Sequence, residues 1–203
     1  MESKFLKGLF SLFVIVLFVS VVPLSVVAGD EQDPEITDDE GDMFQHPLFY
    51  LPQRSLNAVD IVSAWFFEDR NESDFLFISI KVVDLHYLPV LRSTYLFECG
   101  HGDYVYSGRF TTQFLGLYSV GILTRSYPNR IHFIRVFFDR DHDLVTFKIP
   151  KKFIDDPQPG EVLTRTRVAS TITTTSGYLL DFILVGDIAP DHQSSGKNYM
   201  IQY

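Results

Sequence analysis

Hydrophobic and polar residues alternate along the second half of the segment Ala58–Leu85, and this alternation predicts a β-hairpin. Apolar residues occupy every second position of that half: Leu76, Ile78, Ile80 and Val82. Ser79 and Lys81 point to the opposite face, so the period is that of a strand with one buried face. The polar block Glu68–Asp74 has the composition of a turn. We therefore expect the four aliphatic side chains to lie in the core.

The same patterns predict two further hairpins and several single strands. Strand-like runs flank the turn Gly100–Asp103, and others flank Asp139–Asp143. Ile131–Phe138 is apolar at both parities, which predicts a strand covered on both faces. Val162–Thr174 is rich in Thr and Val and is predicted to be a strand, whereas Ile188–Tyr203 is predicted to be a polar tail. About seven to nine short strands, with no helix longer than about two turns, predict an antiparallel β-sandwich.

The N-terminal segment Met1–Ala28 is predicted to direct export. Two lysines precede an almost wholly apolar run, and small residues precede Gly29, as at a signal-peptide cleavage site. A cleaved signal peptide is favoured over a retained anchor, although the run is long enough to span a bilayer. The predicted organisation is an export segment (1–28), an acidic leader (29–42) and a β-sandwich domain (43–203). We expect an extracellular or cell-surface protein that contacts a membrane only if the export segment is retained.

Composition narrows the expected partners. The 203 residues carry a formal net charge of −9 and no cluster of Lys and Arg. Nucleic-acid binding depends on cations that displace phosphate counterions, so we expect no nucleic-acid partner. The single cysteine, Cys99, has no second cysteine for an internal disulfide. Stability must therefore come from a Phe-rich core, from bound ions, or from both.

The acidic leader contains a candidate calcium site. In the run Asp38-Asp-Glu-Gly-Asp42, carboxylates surround a glycine that permits a tight turn. Calcium takes oxygen ligands from flexible loops of this kind, so Asp38, Asp39 and Asp42 are candidate ligands for a structural calcium ion. The alternative is a solvated spacer between the export segment and the domain. Asp139–Asp143 also contains three acids, but it lacks the glycine and the closing glutamate of an EF-hand loop.

Catalytic motifs are not found in the sequence. Cys99 and His101 could share a metal, but no second pair completes four ligands. A cysteine on a β-strand is more often an inert core residue than a nucleophile. We therefore expect a non-catalytic protein. The alternative is an extracellular hydrolase with carboxylates assembled from loops or with Cys99 as the nucleophile.

Three tyrosines of the second hairpin are candidate ligand-binding residues: Tyr95, Tyr104 and Tyr106. Tyrosines exposed on one sheet face can stack on sugar rings while their hydroxyl groups form hydrogen bonds. The alternative is that they complete the Phe-rich core. The expected partner is thus a glycan or another surface polymer.

Three pieces of the chain carry a resemblance to a known class of proteins. They are the run Asp38–Asp42, the pair Val59–Trp65 and Leu76–Val82, and the pair Phe147–Lys151 and Pro157–Leu163. In this order they resemble secreted β-sandwich modules of archaeal and bacterial extracellular proteins, which are similar to carbohydrate-binding (family 9-like) and DOMON-type sandwiches. The resemblance spans about Glu35 to Tyr203 and implies an exported, non-catalytic module that binds a glycan or polymer or has a structural role at the cell surface. It places no haem, because Met43 and Met200 match no ligand position.

Overall fold

The computed structural model describes residues 29–45, 47, 50–86, 91–112, 120–126, 129–174, 183–190 and 195–203. The predicted export segment lies outside these residues, so its prediction is not tested by the fold. Within the described ranges no helix is both long and apolar enough to cross a membrane.

Twelve strands make up most of the described chain. They are β1 (Ile36–Thr37), β2 (Phe44–Gln45), β3 (Ile61–Phe67), β4 (Phe75–Val82), β5 (Leu91–His101), β6 (Tyr104–Thr111), β7 (Val120–Arg125), β8 (Arg130–Asp139), β9 (Leu144–Pro150), β10 (Val162–Thr174), β11 (Ile183–Ala189) and β12 (Tyr199–Met200). Nine of these have six or more residues, and three strands of two residues each bring the total above the predicted seven to nine. Within the described residues, helical structure is limited to α1 (Gln53–Asn57) and two 3₁₀ turns, Arg70–Glu72 and Lys151–Ile154.

The strands form one continuous antiparallel sheet. Its order is β1-β3-β4-β9-β8-β7-β6-β5-β10-β11-β2, with β12 paired to β10. Irregular registers interrupt the pairing of β3 with β4 and the pairings of β10 with β5 and with β11, and such bulges increase the local twist of a sheet. The antiparallel all-β class is thus confirmed, whereas a division into two separate sheets is not observed among the described strands.

The concave face of this curled sheet holds the main core. The predicted core position of the alternating residues in β4 is confirmed, because Leu76, Ile78, Ile80 and Val82 are at most 1% exposed. Phe77 and Ser79 on the opposite face are buried as well, so the prediction of a single buried face is wrong. Phe97 on β5 packs edge-on against Phe147 on β9, with 5.0 Å between ring centroids. Gly108 makes room for the Phe97 ring, because a Cβ at that position would lie 1.8 Å from its Cε1 atom. Aromatic packing across the curl therefore depends on this glycine.

One strand departs from its predicted environment. Ile131–Phe138 was expected to be covered on both faces, but only one face of β8 is buried, through Ile134 and Val136. On the opposite face Phe133 is 73% exposed, and Ile131 and Phe137 are also exposed. The prediction that both faces of this strand are covered is therefore wrong. Apolar residues on both sides of a strand do not by themselves show whether the outer side is covered by other residues or exposed to solvent.

The C-terminal segment is part of the core. β10 spans the predicted range Val162–Thr174, but the segment predicted as a polar tail continues β11 and adds β12. Tyr199 and Ile201 are at most 1% exposed. The buried Glu68 carboxylate accepts hydrogen bonds from the Tyr199 hydroxyl at 3.0 Å and from the Gln202 amide at 2.6 Å. The prediction of a polar tail is therefore wrong, because a few buried side chains anchor a mainly polar segment.

The two ends of the strand path approach each other. β1 lies within the predicted leader and pairs with β3, and Glu35 and Ile36 beside it are buried. The Lys197 amide donates to the Glu35 carbonyl at 2.8 Å. The middle of the leader thus joins the segment before β12, and its residues Ile36–Thr37 belong to the sheet.

Candidate functional site

Three carboxylates from distant parts of the chain converge near the ends of the strand path. Asp38 and Asp42 follow β1, Asp187 lies in β11, and one oxygen from each lies within 4.8 Å of the others. Asp187 is 4% exposed, and its Oδ2 atom accepts a hydrogen bond from the Ile61 amide at 2.7 Å. Carboxylate oxygens grouped in this way are the ligands that calcium prefers. We refer to these three residues as the aspartate triad.

Electrostatic repulsion accumulates around the triad. Burial raises the pKa of Asp187 to about 6; the Ile61 amide opposes this shift, and the charge of Asp42 adds to it. Asp60 lies nearby and accepts hydrogen bonds from the Gly41 amide on both carboxylate oxygens, at 3.1 and 3.0 Å. Burial raises the pKa of Asp60 as well. A divalent cation would relieve the repulsion among these ionised groups.

The triad contains two of the three residues predicted as calcium ligands. Asp38 and Asp42 lie in it, whereas Asp39 is exposed and is not a member. Asp187 was missed, because its approach to the leader depends on pairing between distant strands. A signal was present in the sequence, since Asp187 stands between Val185 and Ala189 at the same parity and all three are buried. A carboxylate in an apolar row requires a partner.

The three tyrosines do not form an exposed stacking face. Tyr95 is 1% exposed and its hydroxyl donates to the Ala58 carbonyl at 2.7 Å. Tyr106 is fully buried. Tyr104 alone is accessible, and the Arg125 guanidinium lies 4.4 Å from its ring centroid. Tyr95 and Tyr106 are therefore core residues, which corrects the prediction that all three stack on a ligand.

Tyr106 anchors a polar cluster. Its hydroxyl donates to Asp155 at 2.7 Å, and Arg125 Nη1 donates to the same carboxylate at 3.0 Å. These two donors hold the pKa of Asp155 below its ordinary value. Asp155 has φ 62° and Asp156 has φ 50°, so the cluster holds an unusual backbone conformation in place. The loop after the second 3₁₀ turn is thereby fixed.

Cys99 lies in an environment that suppresses nucleophilic chemistry. It is fully buried, and burial raises the pKa of its thiol to about 12. The thiolate is the nucleophile and the metal ligand, so the thiol is unreactive at neutral pH. His101 instead contacts the Ile154 carbonyl through Nδ1 at 2.9 Å and Glu161 through Nε2 at 3.1 Å. These contacts favour a structural role for both residues.

A cleft of about 600 Å³ opens on the convex face of the sheet, within the usual range for small-molecule sites of about 300–1,000 Å³. We refer to it as the outer cleft. It lies where β8 and β9 meet the start of β4 and the second 3₁₀ turn. Its lining includes three aromatic and three cationic side chains: Phe75, Phe133, Phe153, Arg135, Lys148 and Lys152. Asp74 and Asp156 also line it. Aromatic surface and charged groups thus face one cavity.

The cations of the outer cleft lie close together. Arg135 on β8 is directly opposite Lys148 on β9, and like charges at opposed positions destabilise a sheet. Lys148 is held by an ion pair with Glu72, and its Nζ atom lies 4.2 Å from the Phe75 ring centroid. Among the described residues, Arg135 makes no ion pair. Its exposed guanidinium therefore gives the cleft a positive charge that an anionic group could neutralise.

Exposed apolar side chains extend from the cleft across the neighbouring strands. They are Val120 and Ile122 on β7 and Ile131, Phe133 and Phe137 on β8. Ile122 and Phe133 are directly paired in the register of the two strands. A contiguous apolar surface of this kind usually marks an interaction site.

Comparison of the chain with family models, curated proteins and solved structures gives no match. The resemblance to carbohydrate-binding and DOMON-type sandwiches therefore stays a prediction.

Proposed function

We propose that the protein is an exported, non-catalytic β-sheet module that binds a surface glycan in the outer cleft. The observation that carries this proposal is the combination of the exposed Phe133 ring, 73% exposed, with polar side chains in one cavity. Rings accessible to solvent stack on the apolar faces of sugars. Asp74, Asp156 and Lys152 supply acceptors and donors for the surrounding hydroxyl groups. The convex face thereby replaces the tyrosines as the proposed binding surface.

The Arg135 guanidinium favours an acidic group on the glycan. Arg135, Lys148 and Lys152 line the cavity together with Asp74 and Asp156, and Lys148 is paired with Glu72, so the expected anion contact depends on Arg135, which makes no ion pair among the described residues. A uronate carboxylate or a sulfate group would accept hydrogen bonds from the N–H groups of the Arg135 guanidinium, whose planar geometry matches two oxygens of such an anion. We therefore propose uronate-containing or sulfated polysaccharides as the ligand class.

The alternative of a hydrolase would use the two acids that line the cleft. Glycoside hydrolysis requires a pair of carboxyl groups, one of which is kept protonated by burial. Asp74 and Asp156 are both exposed, and the protonated thiol of Cys99 is sequestered in the core. These environments favour binding over catalysis.

The test is binding of the purified full chain to an array of neutral and acidic glycans, followed by calorimetry on any ligand found. Phe133→Ala should weaken binding by about 0.5–1.5 kcal/mol, a factor of about 2 to 13. Ile131→Ala is the matched control, because Ile131 is similarly exposed, at 66%, but does not line the cleft. Equal affinities of the two variants, or no binding of the wild type, would refute the assignment. Release of new reducing ends would support the hydrolase.

We also propose that the aspartate triad holds a structural calcium ion. The ion would tie the loop after β1 to β11, since Asp38 and Asp42 come from that loop and Asp187 from the strand. Ligand at a hundredfold excess over Kd contributes about 2.7 kcal/mol to stability. The thermal midpoint should therefore rise with calcium in the wild type and in Asp39→Asn, but not in Asp187→Asn. A midpoint that is the same with calcium and with chelator in all three proteins would exclude the site.

A further inference from the structure

Gly29, the first residue after the predicted export segment, lies against a buried carboxylate. Gly29 is buried, and a methyl group added to its Cα would lie 2.1 Å from Glu35 Oε2 and 2.3 Å from Oε1. The Glu35 side chain therefore occupies the space beside this Cα. The nitrogen of Gly29 is bonded to the same carbon, so it is within a few ångström of the carboxylate.

Glu35 lacks a close cation of its own among the described side chains. It is 7% exposed, and its Oε2 atom accepts a hydrogen bond from the Phe66 amide at 2.9 Å; the backbone amide of Glu35 itself also stabilises the carboxylate. The charges of Lys197 and Asp33 act on it in opposite directions, and these two residues pair with each other at the surface. Burial raises the pKa of Glu35 to about 7. A buried carboxylate in this environment is stabilised by a cation.

We infer that the exported chain, once cleaved before Gly29, forms an ion pair between its new α-ammonium group and the Glu35 carboxylate. Hydrolysis of the Ala28–Gly29 amide by a signal peptidase consumes one water and leaves a carboxylate on Ala28 and an amine on Gly29, which takes up a proton. The amide nitrogen of the uncleaved chain has no such charge. The inference rests on the proposed export, and it makes Glu35 the receptor for the processed N-terminus.

The size of Gly29 supports this assignment. A side chain at that position would overlap the Glu35 carboxylate unless the carboxylate moved away, so glycine is the residue that allows the two groups to come this close without such a shift. Gly29 thus meets two requirements: a cleavage site needs small residues nearby, and the Glu35 carboxylate needs the space beside its Cα.

The experiment uses protein exported from the full-length gene. Intact mass first establishes the N-terminus, and NMR titration then follows the α-amine. In the wild type its pKa should lie above the ordinary range of about 7.7–8.0, and in Glu35→Gln it should return to that range. Glu31→Gln is the matched control, because Glu31 is an exposed acid of the same segment that pairs with Lys81 instead. The charges of Lys197 and Asp33 act on the pKa of Glu35, and the charge of Glu35 acts on that of Tyr199. The titrations of these three residues are therefore recorded in parallel.

Chemical acetylation of the α-amine provides a second readout, which measures stability instead of a pKa. It should lower the thermal midpoint of the wild type and leave that of Glu35→Gln unchanged. Cleavage before Gly29 with an ordinary amine pKa and no effect of acetylation would overturn the ion pair while leaving export in place. An intact Met1 would overturn both the cleavage and the pair. Glycan binding is independent of either outcome.

Discussion

Lys151 and Glu68 form a buried ion pair whose disruption should be costly. Their side chains are 5% and 0% exposed, and Lys151 also donates to the main-chain oxygen of Tyr203. Lys151→Met would keep most of the volume but leave the Glu68 carboxylate buried without its cation. Removing one partner of a buried pair costs about 3–5 kcal/mol. For a chain of this length that corresponds to a drop of about 6–20 °C in the thermal midpoint.

Chemical denaturation of the wild type, Lys151→Met, Glu68→Gln and the double variant would measure this coupling. The double variant should be more stable than the sum of the single losses implies, because it no longer contains an unpaired buried charge. Lys152→Met is the control, since Lys152 is the adjacent lysine and is exposed. If Lys151→Met were as stable as Lys152→Met, the pair would not anchor the C-terminal segment and the reasoning would be refuted.

Three further predictions concern the triad, the Asp155 cluster and the core. Without calcium, the free energy of unfolding should fall by up to about 3 kcal/mol as pH rises from about 4 through 6. Burial raises the pKa of Asp187 to about 6, so the folded state keeps the proton of this carboxyl group at pH values where the unfolded state has lost it. Chemical denaturation at each pH measures this change. Asp155→Asn should lower the free energy of unfolding by about 1 kcal/mol at pH 7. Tyr106 and Arg125 lower the pKa of Asp155, so the wild type loses the same stabilisation when acid protonates this carboxylate, and the difference between the two proteins should vanish there. Gly108→Ala should destabilise by about 1–3 kcal/mol, measured by thermal unfolding, because its Cβ would overlap the Phe97 ring.

Each of these predictions has a matched control. Asp39→Asn should leave the pH dependence intact, since Asp39 is exposed and outside the triad. Asp156→Asn, next to Asp155 but without its contacts to Tyr106 and Arg125, should cost less at pH 7. Ser107→Ala is the control for Gly108→Ala, because it changes the adjacent residue of β6, and it should destabilise the protein less. A variant that behaves like its control would contradict the corresponding argument.

Local periodicity was sufficient to predict much of the sheet. The alternation of Leu76 to Val82 identified a buried face because every second residue of a strand points the same way. The turns at Gly100–Asp103 and Asp139–Asp143 also lie between paired strands, β5 with β6 and β8 with β9. Sheet order could not be read in the same way, since the pairings of β4 with β9 and of β5 with β10 join distant segments.

The candidate sites depended more on such distant pairings. Asp38 and Asp42 were predicted from a local motif, but Asp187 joins them only through the position of β11. Tyr104 and Tyr106 share a parity, yet the end of β6 is accessible and its middle is buried. The outer cleft could not be predicted, because Phe75 joins Phe133 and Lys148 only when β4 pairs with the distant β9.

The burial of the C-terminal residues determines when the fold can be completed. Tyr199 and Ile201 belong to the main core, and the Lys197 amide bonds the Glu35 carbonyl near the start of the sheet. Contacts between distant segments of a chain raise its contact order and slow its folding. Residues 197–201 are therefore needed to complete a sheet that begins at Ile36, so a chain during synthesis cannot finish folding before they have emerged from the ribosome.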